Sequence, residues 1–189
     1  MSLIVDERNG VFVIRFSRPE IRNPLTTPVV KQLFELVDEV KRRSEIRKLI
    51  FTGTADVFAS GADLREIEKL DPASAREFAT RGQTLMNEIA SLSTPTIAAI
   101  NGYCFGGALD LALACQRRLA SPNALFSHPG VGLGIITGWG GTQRLPRLIG
   151  EACAIEMLLT AGRFGAEWAR RSGLIDEVTS GPLERALAL

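Results

Sequence analysis

Three times along this chain a short apolar run breaks into small residues and then into a helical pattern: KLIFTG (48–53) into ASGAD, TIAAIN (96–101) into GYCFGG, and ALFSHP (124–129) into a glycine-rich loop. Apolar strands that alternate with helices read as βαβ units, because parallel strands need a crossover connection rather than a tight turn. In such α/β folds ligands sit beyond the carboxyl ends of the strands, where helix N-termini offer N–H groups without an intrahelical acceptor. The sequence therefore predicts an α/β fold with a site built largely from backbone donors. The third junction is the most extreme, with six of the twelve positions over 130–141 being glycine. Glycine in an element interior costs about 0.5–1 kcal/mol relative to alanine, so the run implies sharp turns or close approach of a ligand to the backbone.

Between these junctions the pattern is regular. Residues 3–17 read as a hairpin turning at Arg8-Asn9-Gly10, since Asn-Gly favours tight turns between strand formers. Thr27-Pro28 opens a helix over 27–43, with Val30, Leu33, Phe34, Val37 and Val40 at helical spacing. A small-residue loop over 54–63, helices over 64–70 and 72–92, and a helix over 102–115 follow. Short strands are expected at 118–120 and 125–128, with helical segments from 141 onward. The length of 189 residues, 46% of them apolar and 23% charged, fits one domain over 1–189, with a core to about 150 and a helical segment over 151–189.

Charge and cysteine usage exclude several classes. With a net charge of +1 and scattered basic residues, nucleic acid is not an expected partner. Cys104, Cys115 and Cys153 form no CxxC pair, which implies reduced thiols, a cytoplasmic location and no metal site. No apolar run reaches the roughly eighteen residues that span a bilayer, and the charged start MSLIVDERNG lacks a signal peptide's apolar stretch. A membrane is therefore not expected either.

Asp110 is the most informative side chain: one carboxyl in GALDLALAC, a helix otherwise apolar nearly all round. An acid in a first turn is favoured by the helix dipole, so capping and proton transfer both remain open for it. His128 is the only histidine, either packed at a strand end or the one nearby base that titrates near neutral pH. On the second reading, activity would fall as pH drops through about 6.5. No GxSxG elbow and no P-loop ending occur, which excludes a serine triad and triphosphate hydrolysis on motif grounds. Trp139 is either a pocket wall or a lid over the core.

FASGADLREI, TPTIAAINGYCFGGALDLALAC and FSHPGVGLGIITGWGGTQRLPRLIG together resemble the crotonase, or enoyl-CoA hydratase/isomerase, family, and the match runs from RPEIRNPL near residue 18 to GLIDEV at 173–178. The resemblance implies a spiral of ββα units forming two stacked sheets flanked by helices, with a C-terminal helical part that is short or truncated. It also implies a homotrimer or dimer of trimers. The segment 151–173, with Met157, Leu158, Leu159 and Trp168, supplies apolar surface for that assembly. The implied substrate is an acyl-CoA thioester, with coenzyme A as carrier and no separate cofactor. Its carbonyl oxygen would lie between the amides of Ala62 and Gly107, with Asp110 as acid or base. Ile21, Arg22, Gly61, Asp63, Leu64 and Arg65 would receive the coenzyme A arm, Arg22 and Arg65 at its phosphates, and Trp139 would also touch substrate.

The departures from that pattern bear on the reaction. Hydratases of the family use two glutamates, which here correspond to Asp110 and Gly130. Some relatives replace the second with an aspartate in the loop that here reads IITGWGG, where this chain has Thr137 and Gly138. Hydration of an enoyl-CoA is the default expectation, slow or absent chiefly on account of Gly130, with glutamates at both positions raising it provided the loop accepts the new side chain. Isomerisation, decarboxylation, thioester hydrolysis or acyl-CoA binding without turnover are the alternatives.

Overall fold

The computed structural model describes residues 2–189. Strands β1 (Leu3–Arg8) and β2 (Val11–Phe16) form the expected antiparallel hairpin, with Asn9 and Gly10 at φ 53° and 73°. Positive φ at both central residues gives the turn whose twist matches that of paired strands. A 3-10 turn at Pro19–Ile21 and a two-residue β3 (Pro24–Leu25) lead into α1 (Thr27–Arg42). There the Thr26 side chain accepts from the Val29 amide, and Val30, Leu33, Val37 and Val40 form the buried face.

The chain then repeats one unit: a strand, a shorter strand in a second sheet, and a helix. In the first copy β4 (Lys48–Thr52) leads to β5 (Val57–Ala59), β6 (Gly61–Ala62), α2 (Leu64–Ile67) and α3 (Pro72–Ala90). In the second, β7 (Thr96–Ile100) leads to β8 (Tyr103–Phe105) and α4 (Gly107–Ala114). In the third, β9 (Arg117–Ala120) leads to β10 (Leu125–Ser127), a 3-10 segment at Pro129–Leu133, and α5 (Gly141–Ile149). Beyond these lie α6 (Glu151–Thr160), β11 (Phe164–Gly165), α7 (Ala166–Arg171), β12 (Glu177–Val178) and α8 (Pro182–Ala188).

The longer strands, with the two-residue β12 at one edge, form one sheet in the order β1-β2-β4-β7-β9-β12, parallel apart from the β1–β2 hairpin. The shorter ones form a second, β11-β10-β8-β5, and β3 pairs with β6. Alternation along the large sheet separates two faces. Phe12, Ile14, Leu49, Phe51, Ala98 and Ile100 point into the main core, while Val13, Ile50, Ile97 and Leu119 pack under Ala186 of α8. Phe16 of β2 meets Phe58 of β5 edge-on at 5.5 Å, which ties the two sheets together.

Several expectations are corrected here. The segment 54–63 is not a loop throughout but carries β5 and β6, and the helix expected from 102 starts only at Gly107, after β8. These strands are two or three residues long and are held by pairing with distant partners, so no local periodicity announces them. Of the apolar residues expected on the surface of 151–173, Met157 is fully buried, and Leu158 and Trp168 are packed against the core. Leu159 is 63% exposed, and it is joined by Ile155 at 54%, which carries the remaining apolar face of α6.

Candidate functional site

The ends of β6 and β8 are brought together by Gly61, which lies at φ 87°. A Cβ there would stand 2.6 Å from the Phe105 carbonyl oxygen and 2.7 Å from the Gly107 nitrogen, so only glycine lets these backbones touch. The same approach places the Ala62 nitrogen 3.4 Å from the point a Gly107 Cβ would occupy. Gly107 opens α4, so its N–H has no acceptor within the helix, whereas the neighbouring Gly106 amide donates to the Ser127 carbonyl at 2.9 Å. The expected pair of amides, Ala62 and Gly107, is thus adjacent, and both residues border one cavity.

One turn along α4 from Gly107, Asp110 is fully buried. The Thr137 hydroxyl, from the glycine loop, donates to its Oδ2. Its Oδ1 faces His128 Nε2 at 3.6 Å, and neither Oδ1 nor either ring nitrogen of His128 has a hydrogen-bond partner among the described residues. Burial pushes the Asp110 carboxyl up to about 7, although the Thr137 hydroxyl, the nearby Trp139 and Gly141 amides and the Arg144 guanidinium favour the anion. Burial pushes His128 the other way, down to about 4. A loss of activity through about 6.5 on account of His128 is therefore not expected; the group that titrates near neutrality is Asp110.

The cavity encloses about 230 Å³ and is mainly apolar. Leu64, Ile67 and Leu70 line one side, Phe78 another, and Leu133, Ile135 and Ile136 of the glycine loop a third. Trp139 is both wall and core: it borders the cavity, is 3% exposed and packs 5.4 Å from Phe78 between centroids. Its indole fills the space a side chain at Gly82 or Gly107 would need. Gly130 and Thr137 also border the cavity. At Gly130 a Cβ would lie 2.8 Å from the Ile135 carbonyl oxygen, and the Ile135 amide donates back to the Gly130 carbonyl at 3.0 Å. The loop is folded onto this glycine, so a glutamate there requires the backbone to move, and the condition set for a gain of hydration from that substitution, a loop that accepts the side chain, is not met without that movement.

The remaining candidates stand beside the cavity. Asp63, nearly buried, caps α2 through the Arg65 amide at 2.9 Å. It also receives the Arg65 guanidinium on both carboxylate oxygens, at 3.0 and 2.6 Å. The role this geometry gives Asp63 is to aim Arg65, whose side chain is 74% exposed. Ile21 and Arg22 are exposed; the Arg22 carbonyl accepts from Ser60 at 2.9 Å, and its guanidinium lies 5.9 Å above the Tyr103 ring. Leu64 is half exposed at the cavity edge. Sequence reasoning missed the α2–α3 wall with Phe78, and Asn23, whose buried amide donates to the Val57 and Phe58 carbonyls at 3.1 Å each. Asn23 pins the RPEIRNPL turn to β5. Its φ of 50°, a conformation asparagine tolerates, is the signal that asparagine ahead of Pro24 offered.

Known proteins are similar to this chain in sequence and in fold. The family model described as enoyl-CoA hydratase/isomerase matches residues 6–184. The chain is 36% identical over 178 residues to a short-chain-enoyl-CoA hydratase of Clostridium acetobutylicum, and 38% over 178 to a crotonyl-CoA hydratase of Syntrophomonas wolfei. Each alignment covers 94% of this chain and 68% of the relative. Among solved structures, Pseudomonas aeruginosa DspI superposes with a TM-score of 0.94 at 34% identity, over 99% of this chain and 78% of that one. An enoyl-CoA hydratase from Bacillus anthracis gives 0.94 at 33%, over 100% and 74%.

Proposed function

Because the chain belongs to the enoyl-CoA hydratase/isomerase family, we propose that it holds the carbonyl oxygen of an acyl-CoA thioester between the Ala62 and Gly107 amides and carries the substrate through a thioester enolate. Donors fixed where negative charge develops act most strongly in the transition state, and one such donor is worth about 2.7–4 kcal/mol. The observation that carries this reading is Asp110, among the described residues the one carboxyl that borders the cavity, placed a single helical turn from Gly107. With a value near 7 it can both give and take a proton under ordinary conditions. Arg65, aimed by Asp63, and the exposed Arg22 are suited to the phosphates of coenzyme A. Coenzyme A is carrier rather than resident cofactor, and the chemistry asks for no other.

The finer assignments rest on the same family. We place the protein in the cytoplasm, where the unpaired Cys104, Cys115 and Cys153 would stay reduced. Among the described residues no helix is long and apolar enough to cross a membrane. The assembly is a homotrimer or dimer of trimers, supported by the exposed Ile155 and Leu159.

The test is α-proton exchange of a saturated acyl-CoA in deuterated water, alongside turnover on enoyl, malonyl-type and aryl acyl-CoAs. Exchange should occur, its kcat/KM rising with pH through about 7 as Asp110 becomes the base. Asp110→Asn should lower it by about 100-fold or more. Tight acyl-CoA binding with neither exchange nor product would make the protein a non-catalytic binder.

A further inference from the structure

We infer that His128 is the second proton-transfer group of this site, holding the water that adds to an enoyl thioester while Asp110 supplies the proton for Cα. Three observations converge on it. First, among the described residues no second carboxyl lines the cavity opposite Asp110, and the Ile135 carbonyl crowds any side chain placed at Gly130. Second, among the described residues that line the cavity, His128 is the one titratable side chain besides Asp110. Third, both ring nitrogens of this 3%-exposed residue lack partners, as does Asp110 Oδ1, the atom turned towards it. A buried polar group without a partner costs roughly 1–3 kcal/mol, and three such atoms on two residues that line one apolar cavity point to a ligand that satisfies them.

The division of labour follows from Thr137. Its hydroxyl is committed to Asp110 Oδ2, which leaves Oδ1 to carry the carboxyl proton, on the side of His128. In the forward direction His128 Nε2 accepts one proton of water as the water oxygen bonds to Cβ. The π pair of the Cα–Cβ bond moves into the thioester, giving the enolate held by the two amides. The enolate then takes the Oδ1 proton at Cα, and the product is a 3-hydroxyacyl thioester. The site is left with an imidazolium and a carboxylate 3.6 Å apart, and transfer of that proton from Nε2 to Oδ1 restores the start. The low basicity of an isolated buried imidazole does not prevent this, because the cation forms as the enolate anion forms beside it, and the Asp110 carboxylate takes the place of that anion once Cα is protonated. The other charged or titratable groups around the pair are Arg144 of α5, which favours the Asp110 anion, and the fully buried Cys104 thiol of β8, pushed far up by burial.

This inference rests on the acyl-CoA reading above, and the experiment separates the two. Crotonyl-CoA hydration and α-proton exchange of butyryl-CoA are measured on the native protein, His128→Gln and Asp110→Asn, with thermal melts on each. Exchange needs Asp110 and the amides; hydration needs His128 as well. For His128→Gln hydration should fall about 100-fold or more and at least tenfold further than exchange. His128→Asn, equally neutral and shorter, serves if the glutamine variant does not fold, with the same expected split. Native exchange without hydration, or hydration in His128→Gln within threefold of native, overturns the role of His128 and leaves the enolate chemistry standing. Neither exchange nor hydration in the native protein overturns the acyl-CoA chemistry, and this inference with it.

Discussion

At Asp110 and His128 burial acts in opposite directions, and folding stability should show it. The Asp110 carboxyl is raised from 3.8 to about 7, so folding favours its protonated form, and the stability this contributes is present below pH 4 and lost as pH rises towards 7. His128 is lowered from 6.5 to about 4, so its contribution is present above pH 6.5 and lost as pH falls towards 4. Between about pH 4 and 6.5 the two slopes oppose, each being at most about 1.4 kcal/mol per pH unit. The single variants should uncover them. Urea midpoints measured from pH 4.5 to 6.5 should fall with pH in His128→Gln and rise with pH in Asp110→Asn, each relative to the native protein. Parallel pH dependence in all three would mean that the two groups titrate as they do in the unfolded chain. Neither shift could be read from the sequence: Asp110 stood out as an acid in an apolar helix, but its partner His128 lies on a strand end 18 positions away, and only the fold sets them face to face.

Elements differ in how much of them a local pattern can disclose. The hairpin at Asn9-Gly10 and the helix from Thr27 were legible because turn chemistry and a 3.6-residue apolar period are written in neighbouring residues. The strands β5, β6 and β8 were not, since each has three residues or fewer and exists through a distant partner: Val57 and Ala59 pair with Tyr103 and Cys104, and Gly61 with Pro24. Those short strands are what deliver the Ala62 and Gly107 amides to one place. The glycine-rich joints were visible from the outset as a cost in need of compensation; which contact compensates each was not. Gly61 offers the sharpest test. Alanine there must adopt φ near 87°, a region that costs L-residues about 1–2 kcal/mol, and must also displace the Phe105 carbonyl or the Gly107 amide. Gly61→Ala should therefore lower the melting temperature by several degrees and lower kcat for α-proton exchange by at least tenfold at a temperature where the variant is fully folded. An unchanged kcat would show that the two amides do not act together on the substrate.

At the scale of the whole molecule, the cavity and the exposed apolar surface share a structural element. The loop that supplies Leu133, Ile135 and Ile136 to the cavity leaves these three residues 39–63% exposed. Gly132, between them and β10, lies 3.9 Å from Ala161 by its would-be Cβ, so the loop rests on the C-terminal end of α6. On α6 itself Ile155 and Leu159, four residues apart and hence on one face, are 54% and 63% exposed. Exposed apolar surface thus lies both on the cavity loop and on the helix against which that loop rests, of the kind that marks an interface in soluble proteins. A second copy seated on it would cover α6 and brace the loop that closes the cavity, so assembly and substrate affinity should be linked. Placing a carboxylate in such an interface costs roughly 2 kcal/mol or more per copy, enough to dissociate an assembly held by apolar burial. On the assembly proposed above, the native protein should scatter light as a trimer or hexamer and Ile155→Glu combined with Leu159→Glu as a monomer. The double substitution should also raise KM for acyl-CoA several-fold while leaving the far-ultraviolet circular dichroism of the fold in place, because both substituted side chains already face solvent in the single chain. A native protein that is monomeric at micromolar concentration, or a dissociated variant with native KM, would break the link between this surface and the site.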